Sequence, residues 1–475
     1  MGFPLPDSPH ACLVSLPTWD AVIGYEESDP TVVGKMRAGY PRFFIHPITR
    51  KYLTKLEGLH AGEGERVMAY SSVGAAMRAN EFVEERTGIP GRIGDAEGVP
   101  ILIVPEGGFS AARDYWRHSG EIVSSRQAED SLAGHLVPQK DGPRFRAELA
   151  ETMKVNPEDC FLFESGMAAI FTLYRLVTAL TPEKKTLQLC FPYVDVLKVQ
   201  ELFGVGVDFV NKARGKEFAT ALAAIEGGDY AAVFCEVPSN PLLNTVDLTA
   251  VSAACRVGNT PLLVDDTVCS HENIDALSLS DAVCTSLTKW VSGIGDIMAG
   301  SVKLNAGSPF CSSLREALEI EVPGGSRIYA RDAEVLNANA KGLSERVRES
   351  NRGGEFVANL LDGHEAIDRV WYPSLIDREA YDEIRTPAGG YGGLMSFTLK
   401  NPERAPIVYQ AMRFSKGPSL GTEYSLLCPY TLLAHYTELD WAVECGVPAE
   451  LLRLSVGREP MEELRTRLHE ALQLA

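Results

Sequence analysis

The stretch SLTKW, residues 286–290, sets the amine of Lys289 just past a short apolar run, with the hydroxyl residues Ser286 and Thr288 before it. An amine at the end of a buried strand attacks carbonyl carbon when burial keeps it neutral. Other apolar runs also end in polar groups. LLV (262–264) delivers Asp265, Asp266 and Thr267; AAVFCEV delivers Glu236 and then the turn PSNP, which holds Asn240; LQLCFP is followed by Tyr193. ESGMAAIF sets Gly166 and Met167 at a helix start, where free N–H groups and the helix dipole favour phosphate. Ser286 and Thr288 are alternate residues of one strand end, so their hydroxyls point the same way and add donors for that anion.

These groups fit one small molecule. It carries a phosphate, an aldehyde for Lys289, a basic ring nitrogen for a strand-end carboxylate, and a flat ring for Tyr193 to cover. That description matches pyridoxal phosphate, whose protein partners are a Schiff-base lysine and an acid for the pyridinium. Each residue alone reads more plainly. Asp265 is then a turn or cap residue, Tyr193 half-buried packing, and Arg453 a surface arginine on an edge strand. The order along the chain is what joins them.

The elements that must position these groups follow from hydrophobic periodicity. From about residue 146 to 305, strand-length apolar runs (TLQLCF, VDFV, AAVFCEV, PLLVDDT, AVCTSLT) alternate with helix-like pieces such as VDVLKVQELFG and DLTAVSAACRVG. That alternation predicts a mostly parallel sheet covered on both faces, with ligands at the carboxyl ends of its strands. Residues 1–57 read as an arm rich in proline and aromatics, and 58–145 as an extended region or insertion. Within the latter, GERVMAYSSVGAAMRANEFVEERTG reads as helix up to Gly88, and GVPILIVPEGG as a short strand. Residues 326–475 read as a smaller α+β domain with strands in GGLMSFTLK and LLRLSVGRE.

A chain of 475 residues needs two or three domains, and 45% hydrophobic content suits a globular one. A net charge of −19 argues against nucleic acid and anionic membranes as partners. The ten cysteines are scattered without a C-x-x-C pair, and several lie in apolar runs, which predicts reduced, buried thiols. The N-terminus shows no signal-peptide pattern and no run is long enough to span a bilayer, so a cytoplasmic protein is expected. The nine histidines show no H-E-x-x-H spacing, and no metal site is expected.

The motifs GYPRFF (39–44), ESGMAAI (164–170), CEVPSNPLLNTVDL (235–248), LLVDDT (262–267), SLTKWVSG (286–293), PSLGTEYSLL (418–427) and LLRLSVG (451–457) run in the order of a known family. The chain resembles the cystathionine γ-synthase and γ-lyase group of pyridoxal-phosphate enzymes of Cys/Met metabolism. SLPTWDAVIGYEE and CPYTLLAHYTELDWA are closest to its fungal cystathionine γ-synthase branch. The resemblance implies fold type I (aspartate-aminotransferase-like), with a mostly parallel seven-stranded sheet in a cofactor-binding domain at 146–325. It implies that Lys289 forms the Schiff base and shuttles protons, Asp265 pairs with the pyridinium, and Tyr193 stacks on the ring and serves as a base. Gly166, Met167, Ser286 and Thr288 then hold the phosphate. Tyr40 and Arg42, on an arm that contacts a neighbouring subunit, reach that subunit's phosphate. Asn240 and Ser419 lie near the ring oxygen and substrate carboxylate, and Arg453 grips the α-carboxylate. The implied assembly is a homotetramer, a dimer of dimers with shared active sites.

The implied reaction is γ-replacement on an O-acylated L-homoserine through a vinylglycine-type intermediate, with L-cysteine giving L-cystathionine. A carbon nucleophile, the enolate of a 3-oxo acid or ester, is the alternative; a γ-lyase and a non-catalytic cofactor-binding relative are lesser ones. Three departures bear on that choice: VDDT where the family often has VDNT, Ile294 and Gly295 in SGIGD after the lysine, and Thr422, Glu423 and Tyr424 in SLGTEYS.

Overall fold

The apolar runs of the middle of the chain are strands of one seven-stranded sheet in the computed structural model, which describes residues 1–137 and 141–475. Across the sheet the order is Cys160–Phe163, Gly300–Leu304, Ala282–Ser286, Leu262–Asp265, Val233–Glu236, Thr186–Leu189, Val207–Val210. Gly300–Leu304 runs antiparallel to both of its neighbours; the other pairings are parallel. The central strands are buried on both faces, which is why they read as unbroken apolar runs instead of alternating ones. Cys160, Cys190 and Cys235 are core atoms here, as small apolar residues would be.

A second, five-stranded sheet occupies the last third of the chain, in the order Ile367–Trp371, Leu394–Leu399, Leu452–Ser455, Leu426–Pro429, Ser415–Lys416. The strand Leu452–Ser455 that carries Arg453 is therefore central, not the edge strand its sequence suggested. Arg453 is buried there. The long helical stretch before this sheet divides at Gly342 into Ala330–Ala340 and Leu343–Asp362.

Residues 61–134 hold a third sheet, the antiparallel order Glu65–Ala69, Val99–Pro105, Arg92–Ala96. The segment read as helix from Gly64 begins instead with the strand Glu65–Ala69; helix starts at Val73, after Ser72 accepts the N–H of Ala75 at 3.1 Å. It ends, as expected, at Gly88 in the left-handed conformation. This region shares one apolar core with the large sheet. Tyr115 and Phe203 both pack on Phe171 of the helix Gly166–Thr178, with ring centroids 5.9 and 4.8 Å away. Buried charges reinforce the seam: Arg327 bonds Glu121 at 3.2 Å and Glu164 at 3.1 Å, and Arg78 also bonds Glu121. Among the described residues no helix is long and apolar enough to cross a membrane.

Candidate active site

Lys289 follows the strand Ala282–Ser286 and is half-buried. Its Nζ donates to Ser419 Oγ at 2.8 Å and lies 4.6 Å from the centre of the Tyr40 ring. Burial, then the cations Arg453 and Arg42, push its pKa down to about 7. Each of these favours the neutral amine. The loops around it permit no bulk. Gly421 has φ +74°, and a Cβ there would stand 2.7 Å from the amide nitrogen of Trp290. Gly293 has φ +72° against the guanidinium of Arg346, which donates to the carbonyls of Trp290 (3.0 Å) and Val291 (2.7 Å).

The pKa gives a pH prediction. The nucleophile is the neutral amine, whose share rises as pH passes the pKa from below. The rate at which cofactor-free protein takes up pyridoxal phosphate should climb through about pH 7 and then level off. Stopped-flow absorbance would show it; a rise continuing to pH 10, about where a solvated lysine titrates, would refute the neutral amine.

Asp265 and Glu236 end adjacent strands and are register partners. Asp265 Oδ1 accepts the N–H of Thr267 at 2.8 Å; burial and the charge of Asp266 hold its pKa up at about 6. Glu236 is pushed well above the carboxylate range, by burial first and then by Asp265. One of its oxygens accepts the N–H groups of Tyr193 and Asn240, both at 3.0 Å. Its place at a strand end was legible; its role as the anchor of these two residues was not.

Asp266, the departure in VDDT, points to the other face. It pairs with buried Lys303 at 2.7 Å and accepts the hydroxyl of Thr285. The aspartate that departs from the VDNT expected from the resemblance is thus matched by a lysine on the antiparallel strand. Lys303→Met should destabilise by about 3–5 kcal/mol, because it leaves a buried carboxylate unpaired. Adding Asp266→Asn should return most of that in urea melts. Additive losses would show that the two charges do not answer each other.

At the phosphate end, Ser165 caps the helix Gly166–Thr178 by accepting the N–H of Ala168 at 3.0 Å. The N–H groups of Gly166 and Met167 lie in the first turn, which has no acceptor within the helix. Gly166 is tied to its type: a Cβ would sit 2.8 Å from the Cβ of Ser286. The Ser286 hydroxyl is buried with no protein partner. Thr288 Oγ1 accepts the N–H of Ala299 at 3.0 Å and faces that residue's carbonyl at 3.4 Å.

Tyr40 and Arg42, expected to reach a neighbouring subunit's phosphate, lie within this chain beside Lys289 and Tyr193. Arg42 is 3% exposed; Nη2 donates to Tyr193 OH at 2.6 Å, and Nη1 donates to Asp195 Oδ2 and to the Arg117 carbonyl, each at 2.6 Å. Its Nε is buried without a partner. Asp195 and His118, bonded to each other at 3.1 Å, had no signal in the sequence. Burial pushes the Tyr193 phenol well above its ordinary value, outweighing Arg42.

Arg453 is 3% exposed. Nη1 donates to Asn240 Oδ1 at 2.7 Å, and Nη2 to the carbonyls of Pro418 and, at 3.4 Å, Ser419. Its guanidinium lies 4.6 Å from the centre of the Tyr430 ring, whose hydroxyl accepts from Asn240 at 3.0 Å. No carboxylate among the described residues pairs with it. The structure thus links Lys289, Ser419, Arg453, Asn240, Glu236, Tyr193 and Arg42 by hydrogen bonds, with the Tyr40 ring against Lys289 and Arg42. Gly166, Met167, Ser286 and Asp265 stand at the neighbouring strand and helix ends. The residues fit pyridoxal phosphate. A phosphate matches the Gly166–Ser286 cradle, the unused Ser286 hydroxyl and the unused Arg42 Nε; an aldehyde matches the Lys289 amine.

Fold and site together define a pyridoxal-phosphate-dependent enzyme of fold type I, acting on an amino acid. The chain belongs to the Cys/Met metabolism PLP-dependent enzyme family, whose profile matches residues 144–473. It is 28% identical to a cystathionine gamma-synthase of Neurospora crassa, over 100% of this chain and 98% of that one. It is 30% identical to an L-2-amino-4-chloropent-4-enoate dechlorinase/desaturase of Streptantibioticus cattleyicolor, over 97% of this chain and 95% of the other. A solved cystathionine gamma synthase from Xanthomonas oryzae pv. oryzae shares the fold with TM-score 0.60 and 24% identity, covering 71% of this chain and 86% of that one. The full-length likeness to the fungal enzyme bears out the resemblance drawn from the motifs, and the cofactor of the family is pyridoxal phosphate.

Proposed function

We propose that the enzyme replaces the acyl-oxygen substituent at Cγ of an O-acylated L-homoserine with L-cysteine, giving L-cystathionine. The observation that carries the amino-acid half of this reading is Arg453, a buried cation that pairs with no carboxylate among the described residues. Such a charge is costly unless an anion meets it. Its planar fork suits an α-carboxylate. The γ-replacement half is supported by the full-length likeness to the Neurospora crassa enzyme.

In this reading Gly166, Met167, Ser286 and Arg42 hold the cofactor's phosphate, Tyr193 covers its ring, and Asp265 receives the ring N–H. Asn240 and Ser419 stand beside the substrate carboxylate. Thr288 supports the strand end through Ala299. The cofactor, when bound, supplies an aldehyde for amines and a protonated ring that withdraws electrons. Asp265 serves it as an anion, which it is above about pH 6. Nζ of Lys289, neutral near pH 7, takes the proton from substrate Cα and returns it later in the cycle. Ser419, 2.8 Å away, holds that amine in place between transfers. Arg453 orients the substrate so that its Cα–H faces Nζ. The proposed assembly is the family's tetramer, which sedimentation velocity would check.

Carbon as the incoming nucleophile is the second reading. The loop after the lysine favours it: Gly295 lies against Leu13, and the Tyr424 hydroxyl donates to the Ile294 carbonyl at 3.2 Å. The departures in SGIGD and SLGTEYS thus meet each other through this hydrogen bond. Incubating O-acetylhomoserine with cysteine, and separately with acetoacetate, and reading product masses decides. Cystathionine is the expected product. A carbon–carbon adduct alone would overturn the sulfur reading, and cystathionine alone the carbon one.

A further inference from the structure

We propose that Tyr430, from the CPYTLLAHYTELDWA stretch, is a further substrate-binding residue: its hydroxyl donates to the α-carboxylate that Arg453 receives, and its ring steadies the guanidinium. This rests on the reading of Arg453 as the carboxylate's partner and adds a second, neutral donor to it.

Tyr430 follows the strand Leu426–Pro429, in which Cys428 is the register partner of Arg453. Its backbone N–H donates to the Leu451 carbonyl at 3.0 Å, which ties it to the chain just before the strand that carries Arg453. The residue is buried. Its ring packs on that of His435, with centroids 6.0 Å apart, and the Arg453 guanidinium lies 4.6 Å from its centre. A cation near an aromatic face is attracted by the ring's quadrupole. The ring thus helps to hold Arg453 in place while leaving its charge unpaired.

The hydrogen bonds then decide where the phenol proton goes. Arg453 has only donors to offer, so the Asn240 atom 2.7 Å from its Nη1 is the amide oxygen. The amide nitrogen is left to face the Tyr430 hydroxyl at 3.0 Å, as the donor. The hydroxyl oxygen accepts in that bond, and its own proton must point elsewhere. Arg453 offers it no acceptor, and among the described residues no other group accepts it. Burial raises the phenol above its ordinary value, outweighing Arg453, so it keeps this proton at working pH. A buried donor without a partner is costly, and an arriving anion removes that cost. Two anionic oxygens come into question, the substrate's carboxylate and the cofactor's ring oxygen. The carboxylate is favoured because the hydroxyl stands beside a cation that pairs with no carboxylate of the described residues. Arg453 takes one side of it and Tyr430 the other, with Asn240 fixing the geometry between them.

Binding titrations on the cofactor-loaded enzyme test this. L-Norvaline carries no leaving group, and butylamine is the same molecule without its carboxylate; the cofactor's absorbance reports the binding of each. Tyr430→Phe keeps the ring beside Arg453 and removes only the hydroxyl. It should bind L-norvaline about 10- to 100-fold more weakly than wild type, the worth of a hydrogen bond to a charged group, and bind butylamine unchanged. Equal losses for both ligands would assign the hydroxyl to Asn240 or the cofactor and overturn the proposal, as would no loss for either. Tyr430→Leu, which removes the ring as well, should weaken L-norvaline further; a loss no greater than that of Tyr430→Phe would overturn the ring's part. Should Tyr430→Phe misfold by circular dichroism, a crystal structure of the wild-type enzyme with L-norvaline decides. A carboxylate oxygen about 3 Å from the hydroxyl is expected, and a hydroxyl turned to the cofactor's ring oxygen overturns the proposal. Wild type that binds both ligands alike would instead defeat the carboxylate reading of Arg453. A wild-type preference for L-norvaline that Tyr430→Phe keeps in full defeats this proposal alone.

Discussion

Lys289→Ala protein should lose the pyridoxyl label that borohydride fixes on the wild type and about 10³-fold or more of its turnover. The geometry gives this side chain two tasks that no neighbour can assume. It is the amine beside Ser419, and the other nitrogen cations near it, Arg42 and Arg453, keep their protons at any working pH. Lys289→Arg should be as inactive as alanine, since a guanidinium does not become neutral there. The two variants differ in one respect. The cavity left by alanine admits a small amine, so added methylamine should restore part of the rate in Lys289→Ala and none in Lys289→Arg. Folding should survive the alanine change, because the wild-type amine is already held in a place that disfavours its charge. A borohydride label that persists on another lysine in the alanine variant would remove Lys289 from the centre of the chemistry.

How much of this was legible in the sequence depended on distance along the chain. Lys289, Asp265 and Glu236 stand where apolar runs stop, and a parallel sheet brings such ends together whatever the details of its helices. The sheet itself was readable because its strands are buried on both faces. What stayed hidden was pairing between remote positions. Asp195 and His118 meet across separate elements, and Lys303 answers Asp266 from the antiparallel strand, which no local pattern announces. The helix that was read from Gly64 failed for a local reason. The apolar positions of Glu65–Ala69 fit helical spacing as well as strand spacing over so short a run, and only the cap at Ser72 marks the true start. Thr288 has a partner that its own stretch does not announce, since its Oγ1 accepts the N–H of Ala299, eleven residues on. Residue types and order located the site; which hydrogen bond each group makes was decided by partners far away in sequence.

Arg453→Ala should reduce kcat/KM by about 10²–10³-fold, the cost of truncating one side of a buried, hydrogen-bonded charge pair. The wild-type guanidinium lies among Asn240 and the carbonyls of Pro418 and Ser419, all neutral, so its charge is unmatched until a substrate carboxylate arrives. Arg453→Lys should recover only a part, because an ammonium is a point charge and cannot hold Asn240 and a carboxylate in one plane. A purely structural arginine would also lower activity when removed, so two further readouts separate the cases. Wild type should prefer an amino-acid substrate over the same amine lacking its α-carboxylate, and Arg453→Ala should lose most of that preference by becoming poor on the first. The second readout needs no substrate. Arg453 is the foremost of the charges that hold Lys289 down, so its removal should move the midpoint of cofactor uptake upward from about pH 7. A variant that binds substrate poorly but keeps both the carboxylate preference and the midpoint would place Arg453 in the scaffold. Both shifts together require one cation to face the amine and the substrate acid at once, which is the arrangement that a proton transfer at Cα needs.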